Sequence, residues 1–476
     1  MAFSALAIAV ATAASLATAP HQVLDWHACA TGPDDAIGKE LDDHGGQCAE
    51  ITVPMDYTRP DGRRITVAIS RIRATDPAHR RGVMLLNPGG PGGSGLEMAI
   101  LGSFSAPLGA AYDLIGFDPR FVGRSTPLHC NWPTSTFQRS AGPDLRSYTQ
   151  NLALQAKLAA GCVKGNRDEL PYASTRNTAR DMDAIRQVLG EPRISYYGVS
   201  YGTYLGAVYL QMFGDRADRF VLDSAVDPVA YGPNVFANQG PAMGAALTHF
   251  AQWAAGKQGI GDTAQDVLDT VNHLVQSAPA HVGTYTVDAH VLPLLIYGGL
   301  VSDDDSFYTE LATEIRQLRD DSPTPSAKLA ATLDGIYTGA GESSDRSGTP
   351  ILCADRAVSR DPAAYYRDIQ AHRADEPLFG PLTRDITPCA FWPSAPIEPP
   401  TKVHNGVPVL IVGAQGDPVA PYSGQLAMHR ALTGSRMVTQ LGAYHHGVFL
   451  GNDCVDVAVV NYLTGGPLPS GDQTCA

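Results

Sequence analysis

The sequence predicts an α/β protein whose mainly parallel sheet is flanked by helices and carries a large, mostly helical insertion after its sixth strand. Continuous apolar runs at 82–87 and 112–118 are typical of buried parallel strands. Between such runs, the stretch 177–190 places apolar residues at helical spacing. Helical patterns dominate from 226 to 400, and a strand-like run returns at 407–412. Strands that alternate with helices favour a parallel sheet with right-handed crossovers.

The length of 476 residues is too great for one ordinary domain. We therefore expect the core in two parts, residues 20–225 and 401–476. A helical lid or cap is expected between them, over residues 226–400. Before the first parallel strand, two alternating runs at 50–53 and 64–69 flank a turn and predict an antiparallel hairpin.

Residues 1–19 resemble the apolar region and small-residue cleavage site of a secretory signal, although no basic residue precedes Lys39. No other apolar run is long enough to span a bilayer. We therefore expect a secreted or cell-envelope, extracytoplasmic protein with no membrane span. A buried N-terminal helix is the alternative, and the low-volume composition makes it less attractive.

Eight cysteines support export, because their even number suits disulfide pairing. Eight cysteines allow about 105 connectivities. Pairing in chain order closes the shortest loops and is the expected arrangement: 29–48, 130–162, 353–389 and 454–475. None of them forms Cys-x-x-Cys, and no cofactor or metal motif is present, so we expect neither group.

The chain carries 34 basic and 48 acidic residues, a net charge of −14, with no Lys/Arg run. Nucleic acid and anionic membrane surfaces are therefore not expected as partners. The sequence does not indicate an oligomeric state.

The apolar run at 194–199 ends in Gly198-Val199-Ser200-Tyr201-Gly202, and a helical pattern follows. Gly-x-Ser-x-Gly between a strand and a helix predicts the nucleophile elbow of an α/β-hydrolase, with Ser200 as a covalent nucleophile. The two glycines let strand and helix approach closely and leave the serine hydroxyl exposed.

A serine nucleophile needs a base, and the base needs an acid to hold its tautomer. In this fold they follow in the order Ser, Asp or Glu, His. Asp417 lies just past the late strand in a glycine-bearing loop, which makes it the predicted acid, although an ordinary turn would also place Asp there. His446 is the predicted base, with its neighbour His445 as the alternative.

The predicted oxyanion hole combines the N–H of Tyr201 with one from the loop 87–95, which follows an early strand. We assign the second donor to Gly90, with Gly89 as the alternative. The loop lacks the Gly-Lys-Ser/Thr of a phosphate-binding loop, and its prolines remove N–H donors.

These motifs together resemble the secreted bacterial tripeptidyl aminopeptidases, α/β-hydrolases related to prolyl aminopeptidases. The likeness runs from about residue 24 to Cys475 and includes the cysteine placement. The matching segments are 87–95, 118–120, 122–125, 198–206, 222–223, 416–419 and 446–448. Three segments depart from the usual pattern: Phe121 and His445 each replace a glycine, and residues 212–214 replace a Phe-Pro step.

The resemblance implies hydrolysis of short peptides from a free N-terminus, with peptides as the partners. An acid near the lid would then pair with the substrate ammonium, and Glu97, Asp227 and Asp355 are the candidates. An esterase or lipase using the same triad is the second hypothesis, because fold and triad do not fix the substrate. A non-catalytic binding protein is a third hypothesis, which the intact Ser, Asp and His make less favoured.

Overall fold

The computed structural model describes residues 22–341 and 344–476. The expected secretory segment, 1–19, lies outside the described residues. Among the described helices, none has the length and apolar character needed to cross a membrane.

A nine-stranded sheet forms the core, with strand order β1-β2-β4-β3-β5-β6-β9-β10-β11, and β7 and β8 form a separate two-stranded sheet. The strands are β1 (Gln47–Pro54), β2 (Arg64–Ile72), β3 (Gly82–Asn87), β4 (Tyr112–Phe117), β5 (Ile194–Val199), β6 (Ala217–Asp223), β7 (Ala280–Val282), β8 (Tyr285–Val287), β9 (Val409–Ala414), β10 (Ser435–Gln440) and β11 (Gln473–Cys475).

The α-helices lie on both faces of this sheet and in the segment between β6 and β9. They are α1 (Ala36–Asp43), α2 (Leu101–Phe104), α3 (Ala106–Ala111), α4 (Leu145–Asn166), α5 (Thr175–Val188), α6 (Tyr201–Phe213), α7 (Gly240–Ala254), α8 (Ala264–Gln276), α9 (Leu292–Gly299), α10 (Asp305–Arg319), α11 (Ala327–Thr338), α12 (Ser344–Asp355), α13 (Pro362–His372), α14 (Gly380–Thr383), α15 (Tyr422–Ala431) and α16 (Asp453–Leu463).

The strand pairing explains where a site can form. β1 and β2 make the expected antiparallel hairpin, and β2 pairs antiparallel with β4. From β4 across to β11 the pairings are all parallel. The chain order reverses where β3 lies between β4 and β5, and open α/β sheets bind ligands beyond the carboxyl ends of strands at such a point.

The insertion, which we define as the chain between β6 and β9, has an apolar cluster of its own. Phe250, Val271, Leu311 and Leu333 are among its fully buried members. Two partly buried residues of the core, Val419 and Tyr444, pack against this cluster. The insertion therefore packs on the loops that follow the late strands.

The Gly/Ser/Pro-rich composition of 339–350 predicts a connection between helices, and from Ser344 onwards this prediction is wrong. There α12 begins, and it continues through Pro350 to Asp355. Ile351 and Leu352 are buried in the main core. This packing of the second half of the helix outweighs the weak helix propensity of the first half.

The four disulfides connect Cys29 with Cys48, Cys130 with Cys162, Cys353 with Cys389, and Cys454 with Cys475. The expected pairing in chain order is therefore confirmed. Each bond closes a loop of 19 to 36 residues, so each is a local constraint on the unfolded chain.

Candidate active site

Ser200 lies on a strained turn between β5 and α6. Its backbone has φ 57° and ψ −123°, a left-handed conformation that is costly for any residue other than glycine. A Cβ on Gly198 would lie 2.7 Å from the carbonyl oxygen of Gly202, and one on Gly202 would lie 2.8 Å from that of Asn87. Glycine is therefore required at both positions, because the backbone segments around Ser200 leave no room for a Cβ, as in a nucleophile elbow.

Asp417 and His446 lie together beyond the carboxyl end of β9. The Nδ1 atom of His446 is 3.1 Å and 3.0 Å from the two carboxylate oxygens of Asp417. Asp417 is 1% exposed, and its Oδ1 accepts hydrogen bonds from the N–H groups of Val419 and Ala420. These donors hold the carboxylate in place.

The protonated form of His446 is stabilised by its surroundings. Burial opposes protonation, but the charge and hydrogen bond of Asp417 outweigh it and raise the pKa of His446 above the ordinary 6.5. An imidazole that becomes easier to protonate beside a fixed carboxylate suits a group that accepts a proton during a reaction.

His445, the alternative base, has different partners. Its Nδ1 lies 2.6 Å from Oδ1 of Asp303 in the insertion, and its Nε2 lies 3.1 Å from Oε1 of Gln440. The structure therefore brings His446, and not His445, to Asp417.

The same contacts connect the insertion to the loop that carries both histidines. The N–H of Tyr444 donates to Oδ2 of Asp303, and the N–H of His446 donates to the carbonyl of Val301. The segment between α9 and α10 is thus bonded to three consecutive residues of the histidine loop.

We expect His445→Ala to destabilise the protein more at pH 5 than at pH 8.5. The hydrogen bond that His445 donates to the Asp303 carboxylate raises the pKa of His445 and outweighs the effect of burial. Burial raises the pKa of Asp303, but the hydrogen bonds from His445 and the Tyr444 N–H outweigh it and lower that pKa. A raised histidine pKa contributes stability that is fully present below the unfolded-state value and lost as pH rises through the folded-state value. The loss should be about 1 kcal/mol greater at pH 5, a size typical of a partly buried charged hydrogen bond. Thermal unfolding of wild type and variant at both pH values measures it, and an equal loss at both would contradict the pairing.

Asp223, at the end of β6, holds the other side of the histidine loop. It is fully buried, and its carboxylate accepts hydrogen bonds from the N–H groups of Val448 and Phe449 and from the hydroxyl of Tyr197. Its backbone carbonyl accepts the N–H of Ser200 at 3.0 Å. Asp223 thus contacts both the elbow and the loop. Sequence reasoning assigned it no role, although an acid at the end of a buried strand is a usable signal.

The glycine-rich loop after β3 lies against the elbow. A Cβ on Gly89 would lie 2.9 Å from Cβ of Ser200 and 3.3 Å from the backbone nitrogen of Tyr201. The Gly89 N–H already donates to the side chain of Asn87 at 3.1 Å. The assignment of the second donor to Gly90, beside Tyr201 at the start of α6, stays a prediction.

The three carboxylates considered for the substrate ammonium have other contacts. Glu97 is exposed, and Asp227 accepts the N–H groups of Val229 and Ala230 in a turn. Asp355 is buried and accepts both the N–H and the hydroxyl of Thr175, while its burial raises its pKa to about 7. Asp227 lines only a small cavity of about 30 Å³, together with Val419 and Ala420 of the Asp417 loop.

Phe121, one of the three departures noted above, has φ 69° and is 2% exposed. Glycine tolerates that conformation freely, so phenylalanine there stores backbone strain. The residue lines a cavity of about 680 Å³ together with Gly92, Gly93 and Arg346. The departure therefore lies beside the glycine-rich loop.

Comparison with known proteins places this site in a family. Residues 82–259 match the family described as alpha/beta hydrolase fold, and residues 376–475 match the family described as TAP-like protein. A tripeptidyl aminopeptidase of Streptomyces coelicolor is 32% identical, and the match covers 98% of this chain and 88% of the relative. The chain belongs to the tripeptidyl aminopeptidase family.

Two further relatives show how wide the family is. Serine protease Hip1 of Mycobacterium tuberculosis is 31% identical over 90% of this chain and 87% of the relative. Carboxylesterase B of the same species is 32% identical over 96% of this chain and 90% of the relative. The predicted α/β-hydrolase fold is confirmed, and the protein is a serine peptidase of that fold.

Proposed function

We propose that this protein is a secreted serine exopeptidase that releases short peptides, tripeptides in particular, from free N-termini through an acyl-enzyme. The observation that carries the proposal is the Asp417–His446 pair, because Asp223 bonds both the loop of His446 and the strained Ser200 elbow. The tripeptidyl aminopeptidase of S. coelicolor supports the substrate class.

The proposed reaction has two steps, acylation of Ser200 and hydrolysis of the acyl-enzyme, and the same catalytic groups act in both. Nε2 of His446 takes the proton of Ser200 as Oγ attacks the scissile carbonyl, and Asp417 stabilises the imidazolium. The N–H groups of Tyr201 and Gly90 bind the oxyanion. His446 then gives its proton to the departing amine, which leaves the peptide acylated on Ser200. Water, deprotonated by His446, releases the peptide and restores the serine.

Esterase activity is the second candidate, and the carboxylesterase B relative is the observation that favours it. The same triad and oxyanion donors would hydrolyse an ester, since an alcohol replaces the amine as leaving group. Substrate assays must therefore include both classes.

The proposed location is extracytoplasmic. Four disulfides support it, because such bonds persist in oxidising compartments and are rare in the cytosol. The proposed boundaries place the core at 20–225 and 401–476, with the lid over 226–400, and the helical character of the chain between β6 and β9 supports them.

The test is a panel of three substrates: a tripeptide p-nitroanilide with a free N-terminus, its N-acetyl form, and a short-chain p-nitrophenyl ester. We expect kcat/KM on the free peptide to exceed that on the acetylated one at least tenfold. Ser200→Ala should remove turnover of all three substrates. Equal cleavage of the free and blocked peptides would contradict the exopeptidase, and turnover of the ester alone would favour the esterase.

A further inference from the structure

A cavity of about 630 Å³ lies within the insertion. Its walls come from α9, α10 and α11 and from the start of α12, and much of the lining is apolar, including Leu294, Leu295, Leu311 and Ile336. Pockets of about 300–1,000 Å³ with apolar walls and few polar groups are the usual form of small-molecule sites.

One wall of this cavity is continuous with the histidine loop. Gly298 and Gly299 line it, and two residues later Val301 accepts the N–H of His446. Tyr297 also lines it, and its hydroxyl donates to Gln239, which donates to the carbonyl of Val419 in the Asp417 loop.

The opposite wall reaches the glycine-rich loop. Asp345 lines the cavity, and three residues later Gly348 packs so closely on Pro91 that a Cβ there would overlap the Pro91 carbonyl oxygen. Two segments that line the cavity therefore continue into contacts with the loops of the proposed base and the proposed oxyanion donor.

The charged side chains that line the cavity differ in whether they have a partner of opposite charge. At the more open side, Nζ of Lys328 lies 2.5 Å from Oε2 of Glu310, and these side chains are 56% and 29% exposed. One turn further along α10, Glu314 lines the same cavity and is only 7% exposed. No hydrogen-bond donor or cation among the described residues bonds to the Glu314 carboxylate. Asp345 is satisfied differently, since it accepts the hydroxyl of Thr136.

A buried carboxylate without a partner is costly unless a ligand supplies one. Burial and the charge of Glu310 raise the pKa of Glu314 to about 7, and the more distant charge of Lys328 opposes this only in part. A carboxylate only accepts hydrogen bonds, whereas an ammonium group offers three donors and a compact positive charge. An anionic ligand group would be repelled, and Glu310 and Asp345 add to that repulsion.

We propose that the Glu314 carboxylate binds the α-ammonium group of the substrate peptide, whose first residues occupy the insertion cavity. This assignment rests on the proposed function and names the group that recognises the free N-terminus. An extended tripeptide spans roughly 10 Å, so the assignment requires that separation between the bound ammonium and the carbonyl attacked by Ser200. Glu314, rather than Glu97, Asp227 or Asp355, then limits the enzyme to chain ends.

The test compares Glu314→Gln with the matched control Glu398→Gln. Both changes keep the side-chain volume and remove one charge, but Glu398 pairs with Arg176 and Arg180 and does not line the cavity. For Glu314→Gln we expect KM on the free tripeptide p-nitroanilide to rise at least tenfold with kcat changed less than threefold. The preference for the free over the N-acetyl peptide should collapse towards one. Glu398→Gln should change both constants less than twofold.

Three outcomes would overturn the assignment. The first is a Glu314→Gln enzyme that keeps the wild-type preference for the free peptide. The second is an equal loss on free and acetylated peptides. The third is a loss confined to acetylated peptides with a lysine side chain, which would assign Glu314 to a side-chain ammonium. The proposed function fails separately, when the wild-type enzyme shows no preference for the free peptide.

A binding measurement guards against a variant that folds poorly. In the Ser200→Ala background, calorimetry should show a tripeptide amide binding at least tenfold more tightly than its N-acetyl form. Adding Glu314→Gln should remove that difference while the unfolding temperature stays within a few degrees. A difference that persists in the double variant would overturn the assignment.

Discussion

His446→Ala should lower kcat on a tripeptide p-nitroanilide by at least about 10⁴-fold, because the serine then loses the only proton acceptor that the proposed mechanism provides. KM should change little, since the imidazole acts on the reacting atoms and the insertion cavity is untouched. Steady-state kinetics on purified enzyme measures both constants.

His445→Ala is the matched control, one residue away in the same loop. It removes the contacts to Asp303 and Gln440 but leaves the His446–Asp417 pair in place. We expect kcat to fall less than about tenfold, from a less firmly held loop. Retained activity in His446→Ala together with loss in His445→Ala would reverse the assignment of the base.

Asp417→Asn should lower kcat by roughly 10⁴-fold at neutral pH, a size typical of an amide replacing the acid of such a triad. The amide preserves shape but removes the charge that raises the pKa of His446, and its NH₂ group favours the wrong tautomer. The variant should regain part of its rate at high pH, where an unassisted imidazole stays neutral and hydroxide replaces general-base catalysis. A pH–rate profile of the variant measures this recovery.

Asp227→Asn is the control for Asp417→Asn. Asp227 lies in a turn after β6 and caps the N–H groups of Val229 and Ala230. An asparagine oxygen accepts the same bonds, so kcat should stay within about threefold of wild type. If Asp417→Asn retained more than a tenth of the activity, the acid would have to be sought elsewhere, first at buried Asp223, which bonds the backbone of the histidine loop.

The sequence predicts those parts of the site that are marked by a pattern within a short stretch of residues. The elbow needs glycines at fixed spacing around Ser200, and Asp417 follows an unmistakable buried strand, so both can be read from short windows. The order Ser, Asp, His then limits the search for the base to two neighbouring residues. Local pattern cannot choose between them.

What separates the two histidines is contact across long stretches of chain. His445 is paired by Asp303, 142 residues earlier and inside the insertion, and that partner has no sequence signature. Glu314 cannot be picked out from the sequence for the same reason. Only the packing of α9, α10 and α11 makes it a buried carboxylate in a cavity. Of the three carboxylates named from sequence, Asp355 is bonded to Thr175 and Asp227 caps a turn, and the sequence alone shows neither contact.

The hydrogen bonds between the insertion and the histidine loop link the opening of the insertion to the position of the His446 imidazole. Val301 and Asp303 bind the backbone of His446 and Tyr444 and the side chain of His445. Displacing that segment of the insertion breaks these bonds and frees the loop that positions the imidazole. A molecule opened at this point would admit longer chains and at the same moment lose the geometry needed to cut them.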